Sequence, residues 1–157
     1  MSKRRLDLRY ETLGAASREV RSSMEHGYEL AGNWSLAQIL DHLTLTMNMC
    51  MERPDFKFNI FVRTFAQMLF PRFIRKGTPV SLRASAPPPL APREGLDLDE
   101  ATARFHAVIE KLEDESTEFQ PFHPLLGNLD RDGWLEMQRW HNAHHLSFMV
   151  PTVDDGD

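Results

Sequence analysis

Three histidines lie within five positions near the end of the chain, in the stretch RWHNAHHLSF from Arg139 to Phe148. His141 and His145 are four residues apart, and His144 directly precedes the second of them. On a helix, side chains at i and i+4 lie on the same face, so two imidazoles at this spacing can bind one metal ion. Imidazole is a good ligand for Zn, Ni, Fe and Cu. A site for a divalent transition metal is therefore one hypothesis for this helix.

The helical positions of these histidines indicate that two of them face the core. Each helical residue changes the direction of its side chain by about 100°. With Trp134 as reference, His141 and His145 lie about 20° to either side, whereas His144 lies about 80° away. Two unpaired imidazoles on a buried face are costly. They must therefore bind an ion or hydrogen-bond groups in the core, and the spacing alone leaves both alternatives open.

A third ligand for such a metal must come from another helix, because two histidines rarely complete a site. His42, in NWSLAQILDHL, is the best candidate. It lies about 120° from the apolar line through Leu36 and Leu40, which predicts a position at the boundary of the core. A helix in a bundle contacts two neighbours, so a boundary side chain can still face the interior. Asp41 points about 100° away from His42, and we do not assign it to the site.

Together these residues resemble a pattern found in the DinB/YfiT-like superfamily of metalloenzymes. In that pattern, a Trp-Ser helix start leads to a histidine, and H-x-x-H-H follows in the final helix. The matching residues are Trp34, Ser35, His42, His141, His144 and His145. The chain looks most like a small bacterial subfamily without an assigned function. The resemblance covers the start of the second helix and all of the last one.

The resemblance implies a fold and a set of ligands. The fold would be a four-helix bundle of DinB type, and the metal ligands carried over by position are His42, His141 and His145. Many members of the superfamily have Gln or a small residue after the final HH, whereas this chain continues HHLSFM. The contacts that select the substrate are therefore not carried over, and no side chain is assigned as catalytic.

The resemblance also implies a class of reaction. Characterised relatives include transferases that use low-molecular-weight thiols, and a few hydrolase-like or isomerase-like members. Three neutral histidines leave open positions on a dication, with Zn or Ni first, and such an ion activates a bound thiol or water. We therefore expect a small-molecule substrate, with a low-molecular-weight thiol as one candidate, and either thiol S-transfer or hydrolysis.

The sequence also offers candidates for the residues around the metal. His144, Asn48 and Trp34 are candidates to orient the ligands or line a pocket, and Thr46 is a further one. The rival interpretation is a non-catalytic helical module, a binding or stress-related protein that keeps a vestigial metal pocket. A cleft lined by His42 and the loop at 77–96 would favour the enzyme. An exposed apolar patch near 56–70 would favour the module.

The apolar periodicity predicts an all-α fold, a four-helix bundle with an additional short helix and a long Pro-rich loop. Helices are expected at 4–25, from Ser35 to Arg53-Pro54, at 56–70, at 99–116, and from Asp130 or Asp132 to Val150. The loop, from Gly77 to Gly95, is expected to be ordered or to form a lid. No strands are expected. Since such bundles often pair through helix faces, we favour a homodimer.

Composition limits the remaining possibilities. The 157 residues fit one domain, 1–157, with polar tails at about 1–5 and 151–157. A net charge of -5 without a long basic run argues against nucleic acid as a partner. Neither a signal peptide nor a membrane-spanning helix is read from the sequence, and the single cysteine, Cys50, can form no internal disulfide. A cytoplasmic protein is therefore expected.

Three further expectations concern individual residues. The helix at 56–70 runs into FPRFIRKG, whose basic end could touch a membrane. In an acidic protein we favour instead a helix that packs on the core, with a solvated basic end and no membrane partner. His106 and His123 are expected at the surface or boundary, and Cys50 in the core.

Overall fold

The computed structural model describes residues 3–81 and 85–152. Within these residues the chain forms five α-helices: α1 Leu13–His26, α2 Leu36–Asn48, α3 Ile60–Lys76, α4 Leu98–Glu113 and α5 Arg131–Leu146. It also forms four short strands: β1 Tyr28–Leu30, β2 Phe122–His123, β3 Gly127–Asn128 and β4 Met149–Pro151. A 3₁₀ turn spans Pro88–Leu90. The prediction of a mainly helical fold is confirmed, whereas the prediction of no strands is wrong.

The helices begin at side chains that cap their free backbone N–H groups. At α2, the Ser35 hydroxyl accepts from the Gln38 N–H at 3.2 Å, and the Gln38 side chain accepts from the Ser35 N–H at 3.0 Å. This is the capping box that the sequence predicts. Asp130, not Asp132, caps α5. These caps fix where α2 and α5 begin, and hence the direction in which each histidine points.

Four of the helices enclose the hydrophobic core. Contacts run from α1 to α4, from α4 to α2, from α2 to α5, and from α5 back to α1. The largest side chains at the centre include Phe105 of α4 and Trp134 of α5, and both are fully buried. Burial of a side chain of this kind contributes about 1.5–3 kcal/mol. The fifth helix, α3, packs on α5 outside this ring of contacts.

An antiparallel ladder joins the two segments that carry the histidines. Strand β1 precedes α2, strand β4 follows α5, and Tyr28 pairs with Pro151 while Leu30 pairs with Met149. Helix α5 therefore ends at Leu146, before the expected Val150, because the chain turns into β4. Of the expected C-terminal tail, Pro151 belongs to the ladder, and residues 153–157 lie outside the described residues.

The first helix starts later than the sequence predicts, at Leu13 instead of residue 4. Thr12 caps it by accepting from the Ala15 N–H. The residues before Thr12 run back to the end of α5, where Arg4 Nε donates to Ser147 Oγ at 2.6 Å. Arg5 donates to the Leu146 carbonyl oxygen at 3.2 Å. Arg4 and Arg5 of the expected polar tail are thus bonded to the end of α5, and residues 1–2 lie outside the described residues.

The third helix is displaced toward the C-terminus relative to the predicted 56–70. Asn59 caps its start, and the helix continues through Pro71 to Gly77, whose φ of 72° is left-handed and ends it. Glycine adopts this conformation without a steric cost, which explains the stop. Helix α2 in turn ends at Asn48, earlier than Arg53-Pro54, because a tight turn begins at Met49.

Two histidines expected near the surface are buried instead. His123 has 6% of its surface exposed and His106 has 7%. The Nδ1 atom of His123 accepts from the N–H groups of Leu125 and Leu126, each at 3.1 Å. Its ring centroid lies 4.9 Å from that of Trp134. Both acceptor bonds need an unprotonated Nδ1, and burial lowers the pKa of His123 to about 4.

We predict that this histidine makes the fold sensitive to acid. The folded-state pKa is about 4 against an ordinary value of 6.5, so the unfolded chain binds the proton more readily. The stabilisation is complete above pH 6.5 and is lost as the pH falls toward 4. For one such group the loss is about 1.4 kcal/mol per pH unit and about 3 kcal/mol in total.

The measurement is urea unfolding at several pH values for the natural chain and for His123→Asn. The amide oxygen of Asn can still accept from the turn but does not titrate in this range. Between pH 4 and 6.5, the slope of the unfolding free energy against pH should be smaller in the variant by about 1.4 kcal/mol per pH unit, because one proton fewer is taken up on unfolding. Equal slopes for the two proteins would show that His123 does not carry this dependence.

Candidate metal centre

The histidines of α2 and α5 converge on one point. One ring nitrogen from each of His42, His141 and His145 lies within 4.8 Å of the other two. Among the His, Cys, Asp and Glu side chains of residues 3–81 and 85–152, these three histidines form the group whose ligand atoms are close enough together to hold a metal ion. His42 is 5% exposed, whereas His141 and His145 are partly exposed. The group therefore lies at the edge of the core, within reach of solvent.

The spacing of two of these nitrogens fits a shared cation. Nε2 of His141 lies 3.1 Å from Nε2 of His145. Two Zn–N bonds of about 2.0–2.1 Å at the tetrahedral angle separate their nitrogens by about 3.3–3.4 Å. Two bare lone pairs at this distance repel each other, so a cation or a proton must lie between them. The nitrogen-only set of groups matches the ligands that zinc and nickel prefer.

A backbone carbonyl orients His42. Its Nδ1 lies 2.7 Å from the carbonyl oxygen of Leu90, at the end of the 3₁₀ turn Pro88–Leu90. A carbonyl oxygen can only accept, so Nδ1 carries the proton and Nε2 keeps its lone pair. Partners of this kind fix the tautomer and the ring direction of metal-binding histidines. Sequence reasoning missed Leu90, because nothing in the Pro-rich loop marks which carbonyl will reach His42.

The loop that carries Leu90 is fastened to α2 by a buried carboxylate. Asp41, 2% exposed, accepts from Arg93 Nε at 2.8 Å and from a second nitrogen of the same guanidinium. Arg104 of α4 lies 3.6 Å from the same carboxylate. Gln38 adds a bond from its amide to the Arg93 carbonyl at 3.1 Å. Asp41 thus takes no part in the group of histidines, but it fixes the loop that orients one of them.

A hydroxyl group orients His141. Thr46 Oγ1 donates to the Leu43 carbonyl at 2.9 Å and lies 3.3 Å from His141 Nδ1. A hydroxyl has one hydrogen, which Thr46 uses on Leu43, so toward the ring it can only accept. Nδ1 of His141 therefore carries its proton, and Nε2 keeps its lone pair. Both His42 and His141 thus present the nitrogen that can bind a metal.

Trp34 covers one side of the group. Its ring stacks on His145 with a centroid distance of 5.6 Å and an interplanar angle of 10°. Its edge also meets the ring of His42 at 5.3 Å. This packing limits the rotation of both imidazoles and keeps water from that side. Of the candidates for the surroundings of the metal, Trp34 is the one whose ring contacts two of the three histidines.

Of the other two candidates, His144 has its ring centroid 5.0 Å from that of His145. His144 Nδ1 accepts from the Val80 N–H at 3.3 Å and lies 3.1 Å from a nitrogen of Arg4. Burial and the Arg4 charge lower the pKa of His144 to about 4, so it stays neutral in these contacts. His144 therefore ties the N-terminal segment to α5. Asn48 is the last residue of α2, six positions beyond His42, which is about 9 Å along the axis.

The electrostatics of the group favour neutral imidazoles. Burial, followed by the neighbouring histidines, lowers the pKa of His141 and of His145 well below the ordinary value. Burial also lowers the pKa of His42. Histidine must be neutral to bind a metal, so near pH 7 all three are in the competent form. Cys50 lies in the core as expected, and burial raises the pKa of its thiol to about 12, which keeps it unreactive.

A groove on the surface lies away from the three histidines. A groove of about 420 Å³ lies between α3 and the start of α5, and its lining includes Gln67, Ile74 and Glu136. None of the three histidines lines it. This groove is therefore not the cleft between His42 and the 77–96 loop that would favour an enzyme.

Comparison with known proteins places the chain in a family. Residues 2–152 match a family model described as "Protein of unknown function (DUF1569)". The chain belongs to this family. No curated protein and no solved structure matches the chain. Each helix in the part of the chain that the structure describes is too short or too polar to cross a bilayer.

We predict that Thr46→Val weakens metal binding because it removes the acceptor that fixes the tautomer of His141. Loss of such a partner typically lowers metal affinity about 10–100-fold. The affinity would be measured by competition with a chromophoric chelator, using Zn²⁺ and Ni²⁺. Thr44→Val is the matched control, since Thr44 is equally buried on α2 and donates to the Leu40 carbonyl at 2.8 Å. An equal loss of affinity in both variants would contradict the assigned role of Thr46.

Proposed function

We propose that this chain is a DinB-type metalloprotein in which His42, His141 and His145 hold a divalent transition metal, and that it acts as a metal-dependent enzyme on a small molecule. The observation that carries the proposal is the convergence of three ring nitrogens from two helices. Nδ1 of His42 and of His141 bond to protein acceptors, which leaves Nε2 of each available for the ion.

The helix contacts support the DinB-type bundle. Four helices, α1, α2, α4 and α5, contact one another in a closed ring, as the members of a four-helix bundle do. The ligands come from the second helix and the last one, which is where the superfamily pattern places them. Ligand sites inside bundles are built in this way, from side chains on facing helices.

The ligand count supports catalysis over a purely structural site. Structural zinc sites are closed by four protein ligands, whereas catalytic sites keep a position open. When bound, a dication of this kind lowers the pKa of a water or thiol that reaches it, and so supplies a nucleophile at neutral pH. Trp34 closes one side of the group, and the partial exposure of His141 and His145 leaves an approach from solvent.

The chemistry of the chain points to an external thiol or to water as the nucleophile. Cys50 is the only cysteine of the sequence, and its thiol is buried and stays protonated. A thiol S-transfer reaction would therefore use a low-molecular-weight thiol as co-substrate, and hydrolysis would use water. A lone reduced cysteine also suits a reducing compartment, so we propose a cytoplasmic protein.

A second candidate function has its own observation. Helix α3 exposes several large apolar side chains, among them Phe61, 80% exposed, and Ile60, 63% exposed. An apolar face of this kind is typical of a binding surface. The alternative is therefore a non-catalytic binding or stress-related module that keeps a vestigial metal pocket.

The decisive experiment is metal analysis by plasma mass spectrometry on protein purified without a histidine tag. We expect about one Zn or Ni per chain, before or after reconstitution, and almost none in His145→Ala. His144→Ala is the matched control, because His144 adjoins the same site but bonds to Arg4 and Val80. It should keep its metal. Circular dichroism would show that both variants keep their helices.

Two results would redirect the proposal. If the natural protein contains no metal even after reconstitution, the three histidines are structural. The non-catalytic binding module then becomes the favoured function. Metal-loaded protein that shows neither thiol transfer nor hydrolysis with a broad panel of substrates would keep the metal site but reject the enzyme.

A further inference from the structure

The outward face of α3 is apolar along its first half, although the helix packs on α5 and its basic end is exposed, as the sequence predicts. Two of its residues, Ala66 and Ile74, are buried, and its other large apolar side chains are partly or largely exposed. The exposed fractions are 63% for Ile60, 80% for Phe61, 49% for Val62, 53% for Phe65 and 60% for Met68. The first half of α3 therefore presents an exposed apolar patch of the kind that favours a binding surface.

Phe61, Phe65 and Met68 share one line along the helix with a group of cations. With Phe61 as reference, Met68 lies about 20° to one side, and Arg72 and Phe65 lie about 20° and 40° to the other. In the last turns, Arg75 and Lys76 flank the same line within about 60°. All three cations are exposed. The outward line is thus apolar along its first half and cationic along its second.

The charge of this region differs from that of the rest of the chain. From Phe56 to Arg93 the sequence has seven Lys and Arg residues and no Asp or Glu, although the whole chain has 18 basic and 23 acidic residues. Within residues 3–81 and 85–152, no ion pair joins Lys57, Arg72, Arg75 or Lys76 to a carboxylate. The cations beside the apolar face are therefore available to an anionic partner.

We propose that α3 docks the protein onto the surface of a bilayer that contains anionic lipids. A helix with aromatic and aliphatic side chains on one face, bordered by Lys and Arg, lies in the interface with its apolar side chains among the headgroups. Phe61, Phe65 and Met68 enter the bilayer surface, and Arg72, Arg75 and Lys76 bind the phosphates. The contact is peripheral, and α3 does not cross the membrane.

The charges argue against a second copy of the chain as the occupant of this face. A two-fold interface uses the same patch on both partners. If two α3 helices paired antiparallel about their middle, the apolar half of each would cover the cationic half of the other. If they paired parallel, the three cations of one helix would face the same three of the other. An anionic lipid surface satisfies both halves at once.

The test is co-sedimentation of the full-length protein with large unilamellar vesicles. One set consists of phosphatidylcholine alone, and the other also contains about one third phosphatidylglycerol, which gives it a negative surface. We expect binding to the anionic vesicles, much weaker binding to the neutral ones, and a decrease with added salt. Each cation near such a surface raises affinity about fivefold, so Arg72→Gln, Arg75→Gln and Lys76→Gln together should lower it about a hundredfold.

A second variant removes two aromatic side chains from the apolar half of the α3 face. Two control variants test whether the loss of binding is specific to α3. Phe61→Ser with Phe65→Ser should lower the affinity at least about tenfold, because two exposed aromatic rings no longer enter the interface. Leu6→Ser, at another apolar side chain that is 53% exposed, and Lys111→Gln, at an exposed cation of α4, should bind like the natural chain. All substitutions are at the surface, and circular dichroism would confirm that the helices remain.

Three outcomes would overturn the proposal. The first is no binding to the anionic vesicles, and the second is equal binding to neutral and anionic ones. The third is a dimer in light scattering without lipid that Phe61→Ser with Phe65→Ser converts to a monomer, since α3 would then be an interface between two copies. Vesicle binding that needs both the cations and the phenylalanines would support the proposal.

Discussion

The register between α2 and α5 is the constraint on which the candidate site depends. The side-chain amide of Gln138, completely buried on α5, donates to the Thr46 carbonyl of α2 at 2.8 Å. A buried polar group without its partner costs about 1–3 kcal/mol, so sliding one helix along the other is unfavourable. One turn beyond Gln138, His141 meets the hydroxyl of the same Thr46. A single threonine thus fixes the helix register through its carbonyl and a ligand tautomer through its hydroxyl.

Contacts between distant parts of the chain hold the remaining geometry. The β1–β4 ladder ties the approach to α2 to the exit of α5, and Arg4 clamps the N-terminal segment onto the same end of α5. The pair of Arg93 with Asp41 and the bond from Gln38 to the Arg93 carbonyl hold the Pro-rich loop beside His42. Asp41 is buried, and Arg104 of α4 is a second cation beside its carboxylate, at 3.6 Å. The site is therefore assembled from long-range contacts around two locally specified helices.

This division explains what the sequence could predict. The His141–His145 pair and the Ser35–Gln38 capping box depend on residues three or four positions apart, so spacing alone predicts them. The late start of α1 and the β1–β4 ladder depend on partners more than 100 positions away, as in the pairing of Tyr28 with Pro151. Strands of two or three residues show no alternation to detect. The sequence predicted His123 at the surface or boundary because its partners are backbone N–H groups of a turn. No residue type in the sequence indicates partners of this kind.

Helix α3 lies outside the four helices that enclose the core. It joins the other helices mainly through α5, where Phe70 meets the edge of Trp140 at a centroid distance of 5.4 Å. The indole N–H of Trp140 donates to the Thr78 carbonyl just beyond α3 at 3.1 Å. These contacts all lie on the inner side of the helix, so the fold does not require Phe61, Phe65 or Met68 to be apolar. An exposed apolar face favours aggregation, and polar residues there would satisfy the same packing. Its presence beside unpaired cations is therefore better explained by a partner than by folding.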